Sequence, residues 1–310
     1  MNFLVTGGTG FVGKALVTRL LEEGHQVWVP TRRREESRTA SLHYLAIPRE
    51  GELLPVSTMR ALDGIINLAG ENIAGKRWSP EVKRELRQSR ITMTRSIVES
   101  LRELEKQNSL EGIMKKQPFL LSASAVGYYG TSRAHVFTED SKVGKGFLAH
   151  LCQDWEREAL VARDFGVKVA LLRFGLVLGP HGGVLKKMDL PFQFGAGGII
   201  GDGEQWISWI HRDDLIKSIF FIMEKELEGP LNIVSPQPLL MRDFMKGLGK
   251  VLGRPAWTKL PSPMARLFFG EMAEELLLEG QQVMPSRLQE KGYTFIYRDI
   301  EEALRAIYNK

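Results

Sequence analysis

Cysteine is nearly absent: Cys152 stands alone in 310 residues, which excludes an intrachain disulfide and points to a reducing compartment. The six histidines are scattered, and no cluster of Cys, His, Asp or Glu has the spacing of metal ligands, so no metal is expected. No window approaches the roughly 18 consecutive apolar residues that a bilayer span needs, and a membrane is not an expected partner. The opening "MNFLVTGG" has no basic region and no small-residue cleavage site behind its apolar stretch, so no signal peptide is expected and the protein is read as cytoplasmic. The net charge of +5 is dispersed except at Arg32, Arg33 and Arg34. Without aromatic residues interleaved in a basic surface, it does not point to nucleic acid.

What the sequence does have is a rhythm. Short apolar runs bounded by Gly, Pro or Ser recur at 2–6, 26–31, 64–69, 118–124, 167–175 and 231–235, as buried parallel strands should. Helical patterns lie between most of them, at 11–23, over the long amphipathic stretch 80–106, and at 147–164. Alternation of this kind predicts an α/β protein with a doubly wound parallel sheet. Beyond 235 the strand signals fade. "MRDFMKGLGKVLG" and "MARLFFGEMAEELLLEG" then predict helices, hence a smaller, mostly helical lobe over 236–310 beside a domain of residues 1–235. A Gly-dense run from 179 to 205 is too long for an ordinary loop and predicts an insertion at about 180–210 that lines or covers a site.

The first strand leads directly into "VTGGTGFVG". Gly7, Gly10 and Gly13 fall at the mouth of a helix, where a tight turn, a close backbone approach and the helix dipole together suit a pyrophosphate. Thr9, Phe11 and Val12 share that turn. Where the second strand ends, an acid would hold the 2′-hydroxyl of NAD, but Thr31, Arg32 and Arg33 stand there. Guanidinium groups suit a 2′-phosphate, so NADP(H) is the expected cofactor. After the third predicted strand, Leu68, Ala69 and Gly70 of "NLAGENIAG" should pass close to the cofactor, while Asn67 and Glu71 either cap the loop or reach a substrate.

These motifs, with "SASAVGYYG", "LLRFGLVLGP" and "WIHRDD", resemble the extended short-chain dehydrogenase/reductase superfamily in its NAD(P)-dependent epimerase/dehydratase branch. The C-terminal "GEMAEELLLEGQQVMPSRLQEKGYTFIYRDIEEAL" is similar to one subgroup, the epimerase family proteins loosely labelled cell-division inhibitors. The resemblance implies a Rossmann-type fold, adds Ser122 and Arg173 to the cofactor residues, and gives Ser124 the role of orienting the substrate oxygen. It implies a homodimer through the helices at 80–106 and 147–164. The family's proton-transferring Tyr and its Lys partner do not carry over, because Leu148 and Cys152 occupy their positions and no Tyr-x-x-x-Lys occurs anywhere.

Tyr128 and Tyr129 are the replacements to consider, either as acids or as packing aromatics; Glu139 and Asp140 follow them in a loop. Glu71, Lys187, Trp206 and His211 are candidate substrate residues, with Trp209 and Phe192 beside them. His211 is equally the lead-in to a helix over 214–225 that Asp213 would cap. The function expected is an NADP(H)-dependent oxidoreductase or epimerase acting on a small polar carbonyl or hydroxyl compound. The alternative is a non-catalytic NADP(H)-binding regulator or redox sensor.

Overall fold

The structure, a computed structural model, describes residues 1–32, 39–112 and 117–309, so Arg33 and Arg34 lie outside the described residues. In chain order the elements begin with β1 (Asn2–Thr6), α1 (Phe11–Glu22), β2 (Gln26–Thr31), β3 (Leu42–Ala46), α2 (Val56–Ala61), β4 (Gly64–Asn67), α3 (Pro80–Glu111) and β5 (Phe119–Ala125). They continue with β6 (Ser132–Phe137), α4 (Phe147–Leu160), β7 (Val169–Phe174), β8 (Leu176–Leu178), α5 (Leu185–Gln193), β9 (Gly198–Ile200), β10 (Trp206–Ile207), β11 (Trp209–His211), α6 (Arg212–Glu224) and β12 (Gly229–Ile233). The last part holds β13 (Leu239–Leu240), α7 (Met241–Leu252), β14 (Thr258–Leu260), α8 (Ser262–Phe269), α9 (Glu271–Ala273), β15 (Gln281–Val283), α10 (Ser286–Glu290) and α11 (Ile300–Tyr308).

Seven strands form the central parallel sheet in the order β12-β7-β5-β4-β1-β2-β3. β1 pairs with β2 and β4, so the chain leaves β1 to one side and crosses back to the other, the switch that defines a doubly wound sheet. β12 joins at the end of β7 where the Gly175 N–H donates to the Ile233 carbonyl at 3.2 Å. All four residues of β4 are buried, as are Phe3 to Thr6 in β1, because parallel strands are covered on both faces. Each such Leu, Ile or Val contributes roughly 1.5–3 kcal/mol of transfer free energy.

The chain divides into two compact units that interleave along the sequence. The first comprises residues 1–75, 83–124 and 153–172, and the second 76–82, 125–152 and 173–310. The chain crosses between these units several times before the C-terminal segment begins. In the first unit Leu4, Ile65, Ile97, Leu101, Leu120 and Val169 belong to one core. In the second, Leu178, Phe192, Trp209, Phe244, Leu248 and Leu304 form another. Among the described residues no helix is long and apolar enough to cross a membrane.

Three local departures from the sequence expectation have physical causes. β3 has no fully buried residue and lies at the sheet edge, so "LHYLA" shows no apolar run. The helix expected over "MARLFFGEMAEELLLEG" breaks at Gly270, whose φ of +62° a helix cannot accommodate. The glycine-dense run, expected as an insertion without assigned elements, contains α5 and β9.

Candidate functional site

β1 delivers the chain to Gly7, which turns at φ +67°. A Cβ on Gly7 would lie 2.6 Å from the Leu68 carbonyl oxygen, and one on Gly13 would lie 2.7 Å from the Gly8 Cα and still closer to the Gly7 carbonyl. The turn after β1, the first turn of α1 and the loop after β4 therefore meet through backbone alone. Gly8 belongs to the same device, since its Cβ would press on Val29 of β2 at 2.8 Å; the sequence reading missed it. Gly10 caps α1 without a side-chain bond, and the first turn has no acid. This helix mouth thus suits an anion by dipole and by N–H geometry. Thr9 is exposed there, with Phe11 and Val12 half-buried in the first turn.

Beside this cradle, half-buried Thr31 ends β2 and exposed Arg32 follows. The Arg32 guanidinium lies 3.2 Å from the Glu71 carboxylate. Glu71 is held by its backbone, its N–H donating to Ser89 Oγ at 3.1 Å and its carbonyl accepting from Arg90 at 3.0 Å. Its carboxylate pairs with Arg32 in this structure. Gly70 sits against the same Arg90, which a Cβ would approach to 3.0 Å.

At the ends of β1, β4 and β5 lies a buried polar network. Asn67 Oδ1 accepts from Thr6 Oγ1 at 2.6 Å and from the Ala69 N–H at 3.4 Å. Asn67 Nδ2 donates to Thr94 Oγ1 at 2.9 Å and to Ser122 Oγ at 3.4 Å. Trp155 adds an indole N–H to Thr94 Oγ1 at 3.0 Å. Asn67 thus acts as the loop cap the sequence suggested, and Ser122 acts as its buried partner. Ser124, at the end of β5, donates to Glu156 Oε1 at 2.7 Å with both side chains buried. Hence the family's substrate-orienting hydroxyl has its proton engaged by a carboxylate.

The second unit holds Tyr128, Tyr129 and Arg173. Tyr129 is buried, donates to Asn232 Oδ1 at 2.6 Å and accepts from Arg173 at 2.9 Å. Burial pushes its hydroxyl up to about 12, against the opposing pull of Arg173. This corrects its candidacy as a proton carrier: the phenol is a structural strut whose donor already has a partner. Arg173 is buried with its guanidinium 3.6 Å from the centre of the Tyr128 ring, a cation–π contact. An aromatic face and a phenol oxygen thus engage it within this unit. Tyr128 remains half-buried, its ring edge-on to Tyr129.

Glu139 is buried with them, rather than solvated. Its Oε1 accepts the N–H groups of Asn232 at 3.0 Å and Arg287 at 3.3 Å, while Oε2 has no partner among the described residues. Burial raises its pKa above the ordinary carboxylate value. A carboxyl whose folded pKa is raised stabilises the fold fully below its unfolded pKa, and that contribution is lost as pH rises through the folded pKa. Glu139→Gln should therefore gain on the natural chain as pH rises from the acid side of the carboxylate range toward neutrality. The gain is about 1.4 kcal/mol for each pKa unit of elevation. Denaturant titrations of both chains across that range test it, and parallel curves would contradict it.

The helix that carries the family's Tyr and Lys positions contains neither chemistry. Leu148 is half-buried against Gly127, whose Cβ would lie 3.2 Å from its own, and Cys152 is buried. The carboxylate of Glu275 accepts the N–H groups of Phe147 and Leu148, each at 2.9 Å, and so caps α4 from 127 residues downstream of Leu148. Sequence spacing gives no signal for such a cap. His211, not Asp213, is the N-cap of α6: its Nδ1 accepts the Asp213 N–H at 3.1 Å. Burial lowers its pKa and favours this neutral form, with Tyr297 packed on the ring. His211 therefore serves the fold rather than the expected substrate role. Trp206, half-buried, gives its indole N–H to the Arg133 carbonyl at 2.9 Å, and Lys187 is exposed on α5. Trp209 and Phe192 belong to the core.

Comparison with known proteins gives the same outline. The NAD dependent epimerase/dehydratase family matches residues 3–234, and a domain of unknown function, DUF1731, matches residues 260–307. The chain is 39% identical over 312 residues to the chloroplastic epimerase family protein SDR39U1 homolog of Arabidopsis thaliana, covering 99% of this chain and 86% of the relative. It is 38% identical over 306 residues to the epimerase family protein YfhF of Bacillus subtilis, covering 98% and 97%. A crystal structure of the human epimerase family protein SDR39U1 with NADPH superimposes with a TM-score of 0.85 at 31% identity, covering each chain completely.

Proposed function

The chain belongs to the NAD dependent epimerase/dehydratase family, and from that premise we propose that it is an NADP(H)-binding oxidoreductase or epimerase-like protein acting on a small polar carbonyl or hydroxyl compound. The observation that carries the reading is the cradle at Gly7, Gly8 and Gly13, where backbone occupies the space a Cβ would need on Gly7 and Gly13, the Val29 side chain occupies it at Gly8, and the open helix mouth suits a pyrophosphate. Arg32, at the end of a β2 that lacks an acid of its own, supplies the preference for a phosphorylated ribose. Its exposed ion pair with Glu71 is weak enough to exchange for a dianionic phosphate. The human relative bound to NADPH supports the same choice.

When bound, the dinucleotide would donate or accept hydride. The chain's own contribution centres on Ser124. With its proton given to Glu156, the Ser124 oxygen presents lone pairs, which suits accepting a hydrogen bond from a substrate hydroxyl. A library of small hydroxyl and carbonyl compounds, followed by NADPH absorbance, tests this. Ser124→Ala should lower kcat/KM about tenfold to hundredfold on any substrate found. Activity indifferent to that change would remove Ser124 from the site.

A second reading, a dinucleotide-binding regulator without turnover, is favoured by Leu148 and Cys152 at the proton-transfer positions. It calls for NADPH binding with no consumption across the library.

A further inference from the structure

The C-terminal part of the second unit carries large apolar side chains in water. Trp257 is 76% exposed, Phe194 79% and Leu267 70%, with Leu190, Met264 and Phe268 also exposed. Leu190 and Phe194 lie one turn apart at the end of α5, where the Phe194 N–H donates to the Leu190 carbonyl at 3.3 Å. The Trp257 indole N–H donates to the Gly195 carbonyl at 3.0 Å, which seats that ring on the turn after Phe194. From Trp257 the chain runs through β14, paired in parallel with β9, into α8. α8 turns Ala265 and Phe269 inward into one cluster with Ala273 and Leu278, which leaves Met264, Leu267 and Phe268 exposed on its outer face.

The same stretch is strongly basic. Residues 244–270 hold Lys246, Lys250, Arg254, Lys259 and Arg266 and not one Asp or Glu, a local charge equal to the +5 of the whole chain. Spaced some four to seven residues apart, these cations escape notice as a cluster in the sequence. Lys246, Lys250 and Arg254 line an open cavity of about 340 Å³ at the end of α7, which Pro255 and Ala256 continue toward Trp257. Lys250 pairs with Glu301 and Arg266 with Glu274. Lys246, Arg254 and Lys259 have no ion-pair partner among the described residues.

We propose that this face, built by the α5 end, Trp257, Lys259 and the outer side of α8, docks on a membrane surface rich in anionic lipid headgroups. Exposed Trp, Phe and Leu enter the headgroup boundary while flanking cations meet lipid phosphates, the two-part attraction by which peripheral proteins bind without spanning. Charge complementarity selects this occupant. A second copy meeting the face symmetrically would set Lys246, Arg254 and Lys259, which have no ion-pair partner among the described residues, against their own copies. A nucleic acid would engage the cations but leave Leu190, Met264 and Leu267, which have no ring to stack on a base, in water. The lack of a spanning segment argues against an integral membrane protein and has no bearing on this surface.

Co-sedimentation of the full chain with vesicles tests the proposal. The chain should pellet with phosphatidylcholine vesicles containing about one-third phosphatidylglycerol, and bind pure phosphatidylcholine at least about tenfold more weakly. Raised salt should release it. The double variant Phe194→Ala, Trp257→Ala and, separately, Arg254→Glu with Lys259→Glu should each weaken binding at least about tenfold with unchanged melting temperature. Failure to pellet, equal binding to neutral vesicles, or variants that bind like the natural chain would overturn it. So would a concentration-dependent dimer that Trp257→Ala dissolves, or capture of a single-stranded oligonucleotide in place of vesicles.

Discussion

Gly13→Ala is expected to abolish measurable dinucleotide binding, a loss of at least about a hundredfold in Kd or roughly 3 kcal/mol. The new methyl would run into the Gly7 carbonyl and come within 2.7 Å of the Gly8 Cα, and neither is a side chain that can swing aside. α1 must move away from the turn, and the N–H groups that suit the pyrophosphate lose their aim. Overpacking of this kind lowers stability by about 1–3 kcal/mol, so the variant should still fold. Calorimetry paired with a denaturant titration separates the two effects. A folded Gly13→Ala chain that binds NADPH as the natural chain does would show that the cradle is not where the dinucleotide lies.

The largest effect on stability is expected at Asp214, a carboxylate at the start of α6 with no exposed surface. Its Oδ1 accepts the Ile296 N–H at 2.7 Å and its Oδ2 the Tyr297 N–H at 2.8 Å, while the Tyr293 hydroxyl donates to the Asp214 backbone carbonyl at 2.8 Å. One side chain thereby satisfies backbone donors on two residues of the C-terminal segment. Asp214→Ala would strand both N–H groups in the interior at about 1–3 kcal/mol each, partly relieved by relaxation, for a net loss of about 3 kcal/mol, while the Tyr293 hydroxyl keeps its backbone acceptor. Asp214→Asn should lose less, since its oxygen keeps part of the set. Guanidinium denaturation of the three chains checks the order; equal stability of Asp214→Ala and the natural chain would contradict it.

Much of this molecule can be read from its sequence where local rules dominate. The inner strands of the central sheet are continuous apolar runs because both faces are covered, and the turn after β1 is legible because Gly7 and Gly13 each meet a need of the backbone itself. The reading failed where partners are distant. Tyr129 looked like a free phenol until Asn232, over a hundred residues away, engaged its hydroxyl. Glu275 capping α4 and Glu71 turned to Arg32 are likewise products of tertiary proximity. His211 could have been foreseen: an imidazole nitrogen two residues before a helical N–H can accept its hydrogen bond as Asp or Ser would, but preference rankings steer attention to Asp213. The cations of residues 244–270 went unnoticed for another reason, since a count of total charge does not register the absence of acids from one stretch.

The central claim is that a backbone cradle takes a pyrophosphate while Arg32 selects the phosphorylated ribose. Calorimetric titration of the purified chain with NADPH and with NADH tests it most directly. NADPH should bind at least about tenfold more tightly, a difference of about 1.4 kcal/mol that Arg32→Ala shrinks. Equal affinity for the two dinucleotides would contradict the selection by Arg32, and binding of neither would contradict the account of the cradle.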